Sequence, residues 1–80
     1  MQVSAQISMY PLRQQRLTPA IEMAWKVLEE SQLNLKKGDM STVVIGEAEV
    51  VFRAIKEAFL RTAEMGPVSM VVTLSNACPG

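Results

Sequence analysis

The sequence predicts an α+β domain with the ferredoxin-like order βαββαβ, a four-stranded antiparallel sheet carrying both helices on one face. Three observations predict it. Residues 3–11 alternate apolar and neutral polar side chains with the period of a strand, and residues 47–65 carry an apolar stripe with the period of a helix. Segments of these two kinds follow one another as strand, helix, strand, strand, helix, strand, with no linker, repeat or low-complexity stretch between them. Right-handed crossovers then set the first and third strands side by side, running oppositely, and leave one face of the sheet without a helix.

In the first strand Val3, Ala5, Ile7 and Met9 make the apolar face, and Ser4, Gln6, Ser8 and Tyr10 make the other. Pro11 ends the strand because it has no N–H to give a ladder. A polar loop over residues 12–17 leads to Thr18-Pro19, a helix start with Thr as cap and Pro at the first helical position. In this helix Glu22, Lys26, Glu29 and Glu30 share a narrow arc, and the apolar remainder is wider than the usual stripe of roughly 100°. The surplus touches either a partner subunit or an overlying loop.

Residues 32–36 form a short candidate strand with Leu33 and Leu35 inward. Lys37-Gly38-Asp39 is a turn, and residues 41–45 are a β-branched strand completing a hairpin. In the second helix Ala48, Val51, Phe52, Ile55, Ala58, Phe59 and Ala63 are expected inward, with Arg53, Glu57, Arg61 and Glu64 outward. Gly66-Pro67 stops it, and residues 68–74 form the last strand.

Composition limits the function classes. The 80 residues make one domain, residues 1–80, too small to bury a large core. Cys78 is the only cysteine and there is no histidine, so neither a disulfide nor a structural zinc site is expected, and no cofactor. Oligomerisation is the remaining remedy for a small core. Eight basic residues balance eight acidic ones, which disfavours nucleic acid and membrane surfaces as partners. Neither a signal peptide nor a membrane span is evident, and a cytoplasmic location is expected.

The helix-free face should hold Gln6, Ser8, Tyr10, Val71 and Thr73, with no charge from either strand. Neutral side chains suit contact with another sheet better than contact with water, so a homodimer or homotetramer packed through this face is expected. The end of the first strand meets the start of the third, which gathers Gln6, Ser8, Tyr10, Met40, Ser41 and Thr42. Such a set suits a small polar heteroaromatic ligand: Tyr10 can stack, Met40 adapts its shape, and the hydroxyls donate or accept. Ordinary strand and interface roles explain the same residues. Arg13, Arg16, Lys36 and Lys37 form a basic rim there, with Glu29, Glu30, Glu47 and Glu49 at the opposite end, and the rim either holds a phosphate or only solvates loops. Trp25 reads as a core or interface anchor.

Catalysis has little support, because no nucleophile has an evident base and no carboxylate pair faces a pocket. An acylphosphatase-like hydrolase would use Arg13 or Arg16, yet that family's glycine-rich Arg loop and Asn motif are absent.

Gln6-Ile7-Ser8-Met9-Tyr10-Pro11, followed after a helix by residues 38–47, GDMSTVVIGE, resembles the thiamine-binding, YkoF-like family of small ferredoxin-like proteins. The resemblance spans Val3 to about Leu74. It implies binding of thiamine or its hydroxymethylpyrimidine half without turnover, in transport, salvage or sensing, by dimers and tetramers joined through their sheets. It also implies a ligand-binding role for Gln6, Ser8, Tyr10, Met40, Ser41 and Thr42. Ile45 stands where many members have Glu, and the tail over residues 75–80 lacks their polar strand end. Loss of that carboxylate beside a basic rim favours a neutral pyrimidine or a phosphate ester over a cationic thiazolium. The alternative is a structural or interaction module that oligomerises through its sheet and takes no small molecule.

Overall fold

Six elements form in the expected order: β1 (Gln2–Pro11), α1 (Thr18–Glu30), β2 (Asn34–Lys37), β3 (Thr42–Glu47), α2 (Ala48–Ala63) and β4 (Val68–Ser75). The structure, a computed structural model, describes residues 1–13, 16, 18–38 and 41–77. Met40 of the candidate cluster, Asp39 of the turn and the thiol Cys78 lie outside the described residues. Every strand pairing is antiparallel, and the sheet order is β2-β3-β1-β4. This is the ferredoxin-like arrangement, with β1 and β3 neighbours at its centre.

The alternation in β1 places Val3, Ala5 and Ile7 in the core, where they meet Val44 of β3, Ala24, Val27 and Leu28 of α1, and Val51, Ala54 and Ala58 of α2. Each fully buried Val, Leu or Ile contributes about 1.5–3 kcal/mol, so this layer carries most of the driving force. The β2–β3 turn closes where the Gly38 N–H donates to the Ser41 carbonyl at 2.8 Å. A Cβ at position 38 would stand 3.0 Å from that oxygen, which makes glycine fit there. α1 ends through i→i−3 bonds from Ser31 and Gln32, with Gln32 rather than a glycine at φ 61.

β2 and β3 begin and end one or two residues later than the sequence predicts. Leu35 faces inward opposite Val44, and Leu33 packs against the core. α2 differs more. Its buried side is Val51, Ala54, Ala58 and Thr62, whereas Phe52 is 50% and Phe59 39% exposed. The expected inward stripe is thus rotated. Small side chains at 54 and 58 let α2 approach its neighbours closely, and the two rings swing to its flank.

Trp25 on α1 reaches β3, and Lys37 on β2 reaches α1, so α1 lies over the β2–β3 side of the sheet. α2 packs on β3, β1 and β4. No helix of the described residues is long and apolar enough to cross a membrane.

Candidate functional site

The β1–β3 register decides how the motif residues divide. Gln6 lies opposite Val43 and Ile7 opposite Thr42. Thr42 therefore shares the helix-covered side with Ile7 and is buried, whereas Gln6, Ser8 and Tyr10 face the helix-free side. The Gln6 side-chain amide donates to the Ser41 hydroxyl at 3.4 Å. Ser8 is half-buried opposite Val71, and Tyr10 is 47% exposed opposite Ser69. The described members of the cluster thus gather at the expected end of the sheet, but on both of its faces.

A cavity of about 100 Å³ opens between α1 and this end of the sheet. Ile7 and Met9 of β1, Ile21 and Trp25 of α1, and Ser41 and Thr42 are among its walls. The Trp25 indole N–H donates to the Thr42 hydroxyl at 3.1 Å, which satisfies both polar groups and fixes the ring. The Lys37 ammonium lies over the same ring, 4.9 Å from its centroid, and pairs with Glu29. Lys37 is therefore already paired, and Glu29 is not remote from the basic end as the sequence suggests. Lys36, on the helix-free side opposite Val43, and Arg13 are exposed. Arg13 has φ 51, a left-handed backbone that turns the chain out of β1.

The sequence reading does not place Trp25 at the wall of this cavity. The signal was present: a helix that crosses over β3 to reach β2 carries its middle past the start of β3, where Thr42 stands. Ile45 falls on the helix-free side, between Ser4 and Asn34, and so bears on that face rather than on the cavity.

Chemically the cavity offers an indole, a thioether and two hydroxyls among aliphatic walls. None of its described lining residues carries a carboxylate, amine or imidazole. An engineered apolar cavity of about 150 Å³ accepts benzene, so this one receives at most a single small ring, with the rest of a larger ligand outside. A second, wider depression is walled by Glu30, Arg53 and Glu57 without an aromatic or a motif residue. It has the character of a solvated groove.

Solved structures match the fold closely. A protein of Streptococcus pneumoniae superposes with a TM-score of 0.88 at 22% identity, over 94% of this chain and 86% of that one. A domain of unknown function from Bacillus cereus gives 0.84 at 22%, covering 94% and 75%. A proposed thiamine biosynthesis/salvage protein of Thermotoga maritima gives 0.84 at 20%, covering 92% and 82%. At these identities the likeness is one of fold. No curated protein matches the chain. The model of the YKOF-related family matches residues 2–80, nearly the whole sequence, and the chain belongs to that family.

Proposed function

We infer that this protein binds a thiamine-type pyrimidine, thiamine or hydroxymethylpyrimidine, free or phosphorylated, without chemically changing it. The supporting observation is that two motif residues, Ser41 and Thr42, border one cavity with Trp25, whose ring offers a stacking surface for a heteroaromatic. Family membership and the thiamine-related neighbour point the same way. The pyrimidine enters beside Trp25, and its polar substituents meet the hydroxyls of Ser41 and Thr42. None of the described lining residues is titratable, which suits a carrier or sensor.

The assembly belongs to the same reading. On the helix-free side Gln6, Ser8, Val43, Ile45, Val71 and Thr73 form an uncharged centre, with Lys36 and Glu47 only at its margin. Two such faces pack together without burying an ion, giving two or four copies.

Calorimetric titration with thiamine and with hydroxymethylpyrimidine tests the ligand. Heat of binding is expected at least from hydroxymethylpyrimidine, and absence of heat from both, with folded and assembled protein, ends this reading. The cavity's small size supports a second reading, an interaction module without a ligand. Ser41→Ala separates the two: it leaves the assembly of a module unchanged and its stability nearly so, and lowers affinity in a binding protein.

A further inference from the structure

Trp25, Glu29 and Lys37 are brought together by three separate features of the fold. On α1, residues 25 and 29 stand one turn apart on the same side of the helix. On β2, alternation sends Lys36 to the helix-free side and Lys37 to the helix-covered side, where the register sets it opposite Thr42. Thr42 in turn accepts the Trp25 indole N–H. A lysine on an edge strand ordinarily carries its ammonium out to water. This one lies over the indole, 4.9 Å from the ring centroid, and pairs with Glu29.

An aromatic face with a carboxylate beside it is a recognition element for an organic cation. Here the chain's own ammonium fills it. The element borders the cavity, because Trp25 and Gly38, the residue after Lys37, are both among the cavity's walls. The cavity receives one small ring, so the second ring of a larger ligand stays outside. In thiamine that second ring is the cationic thiazolium, one methylene away from the pyrimidine. With the pyrimidine inside, the thiazolium competes for the indole and the carboxylate that Lys37 already holds, and two like charges repel at that distance. Uncharged hydroxymethylpyrimidine leaves Lys37 where it is.

We propose that Lys37 is a specificity-determining residue: it occupies an organic-cation site formed by Trp25 and Glu29, and so turns the cavity's preference from thiamine toward the uncharged pyrimidine. The choice between ligands rests on the pyrimidine-binding function inferred above, whereas the occupied cation site stands without it. Removing the ammonium adds a capacity rather than abolishing one. Lys37 and Glu29 are both about half in water. An exposed cation–π contact and a surface ion pair together then set the effect at about tenfold.

Trp25 is the only tryptophan in the chain, so its emission reports this site alone. Quenching by N-methylpyridinium, an aromatic cation, is compared with quenching by neutral acrylamide. The proteins are the wild type, Lys37→Gln, Lys36→Gln, and Lys37→Gln combined with Glu29→Gln. Lys37→Gln should raise quenching by the cation several-fold beyond any rise with acrylamide, with the circular dichroism kept; if it unfolds, Lys37→Met, which keeps most of the stem, serves in its place. Lys36→Gln removes the same charge on the other side of the sheet and should leave the ratio near wild type, and adding Glu29→Gln should reverse the rise. An equal rise with both quenchers, or one as large in Lys36→Gln, overturns the proposal, because Lys37 then only shields the ring or only alters net charge. So does a rise that survives Glu29→Gln. Calorimetry supplies the second arm: in Lys37→Gln, affinity for thiamine should rise about tenfold while that for hydroxymethylpyrimidine stays. Equal changes for the two ligands overturn the selectivity. If neither ligand binds either form, the pyrimidine-binding function falls, and the quenching arm still decides whether Lys37 fills a cation site.

Discussion

The indole of Trp25 and the hydroxyl of Thr42 join α1 to β3 by a 3.1 Å hydrogen bond at the wall of the cavity. Thr42 is buried because its strand register places it beside Ile7, and Trp25 is half-buried because α1 crosses above it. One bond therefore orients the one large aromatic surface among the described residues that line the cavity.

Thr42→Val keeps the shape of residue 42 and removes the acceptor. The half-buried indole N–H then turns to water, and stability should fall by about 1 kcal/mol in urea unfolding. The ring also gains freedom, so Trp25 emission should shift red and affinity for hydroxymethylpyrimidine should fall several-fold. Unchanged emission would show that the bond does not hold the ring.

Ser41→Ala separates binding from folding. Its hydroxyl meets Gln6 at the long distance of 3.4 Å on a solvated edge, so its loss should cost under about 0.5 kcal/mol of stability. A neutral hydrogen bond to ligand is worth roughly 0.5–1.5 kcal/mol, or about 2- to 12-fold in affinity. Titration calorimetry reads that loss, and a full-strength variant would remove Ser41 from the site.

The architecture was legible because β1 states both of its environments in four alternating pairs. Once Val3, Ala5 and Ile7 are inward, neutral Gln6 and Ser8 must lie on the other side. Element order and crossover hand then set β1 beside β3. The rotation of α2 was not legible, since Phe52 and Phe59 match an inward stripe in period and hydrophobicity as well as Val51 does. What excludes them is volume: Ala54 and Ala58 sit where the helix approaches its neighbours, and a ring would hold the layers apart. The role of Trp25 was hidden likewise, because it depends on which strand α1 crosses.

Gly46 shows a tolerance that composition conceals. A Cβ there would lie 2.5 Å from Leu33 Cδ2, a contact that must be relieved. The obstructing atom ends a flexible side chain, so Gly46→Ala should cost about 1 kcal/mol, at the low end for overpacking. In a Leu33→Ala background the same change should cost almost nothing. A double-mutant cycle by denaturant unfolding reads the coupling, and additive costs would place the strain in the backbone instead.

Thr62 is fully buried, and its hydroxyl donates to the carbonyls of Ala58 at 2.8 Å and Phe59 at 3.1 Å. Both carbonyls are acceptors of ordinary helical bonds, so the hydroxyl is a second partner and its loss orphans neither. Thr62→Val removes only the hydroxyl and fills the same space, and its stability should lie within about 1 kcal/mol of wild type. Thr62→Ala loses a methyl as well and leaves a void against the core, so it should cost about 1 kcal/mol more than Val does. Urea midpoints of the two variants decide between packing and hydrogen bonding. If Val proves as costly as Ala, the hydroxyl rather than the methyl is what the α2 terminus requires.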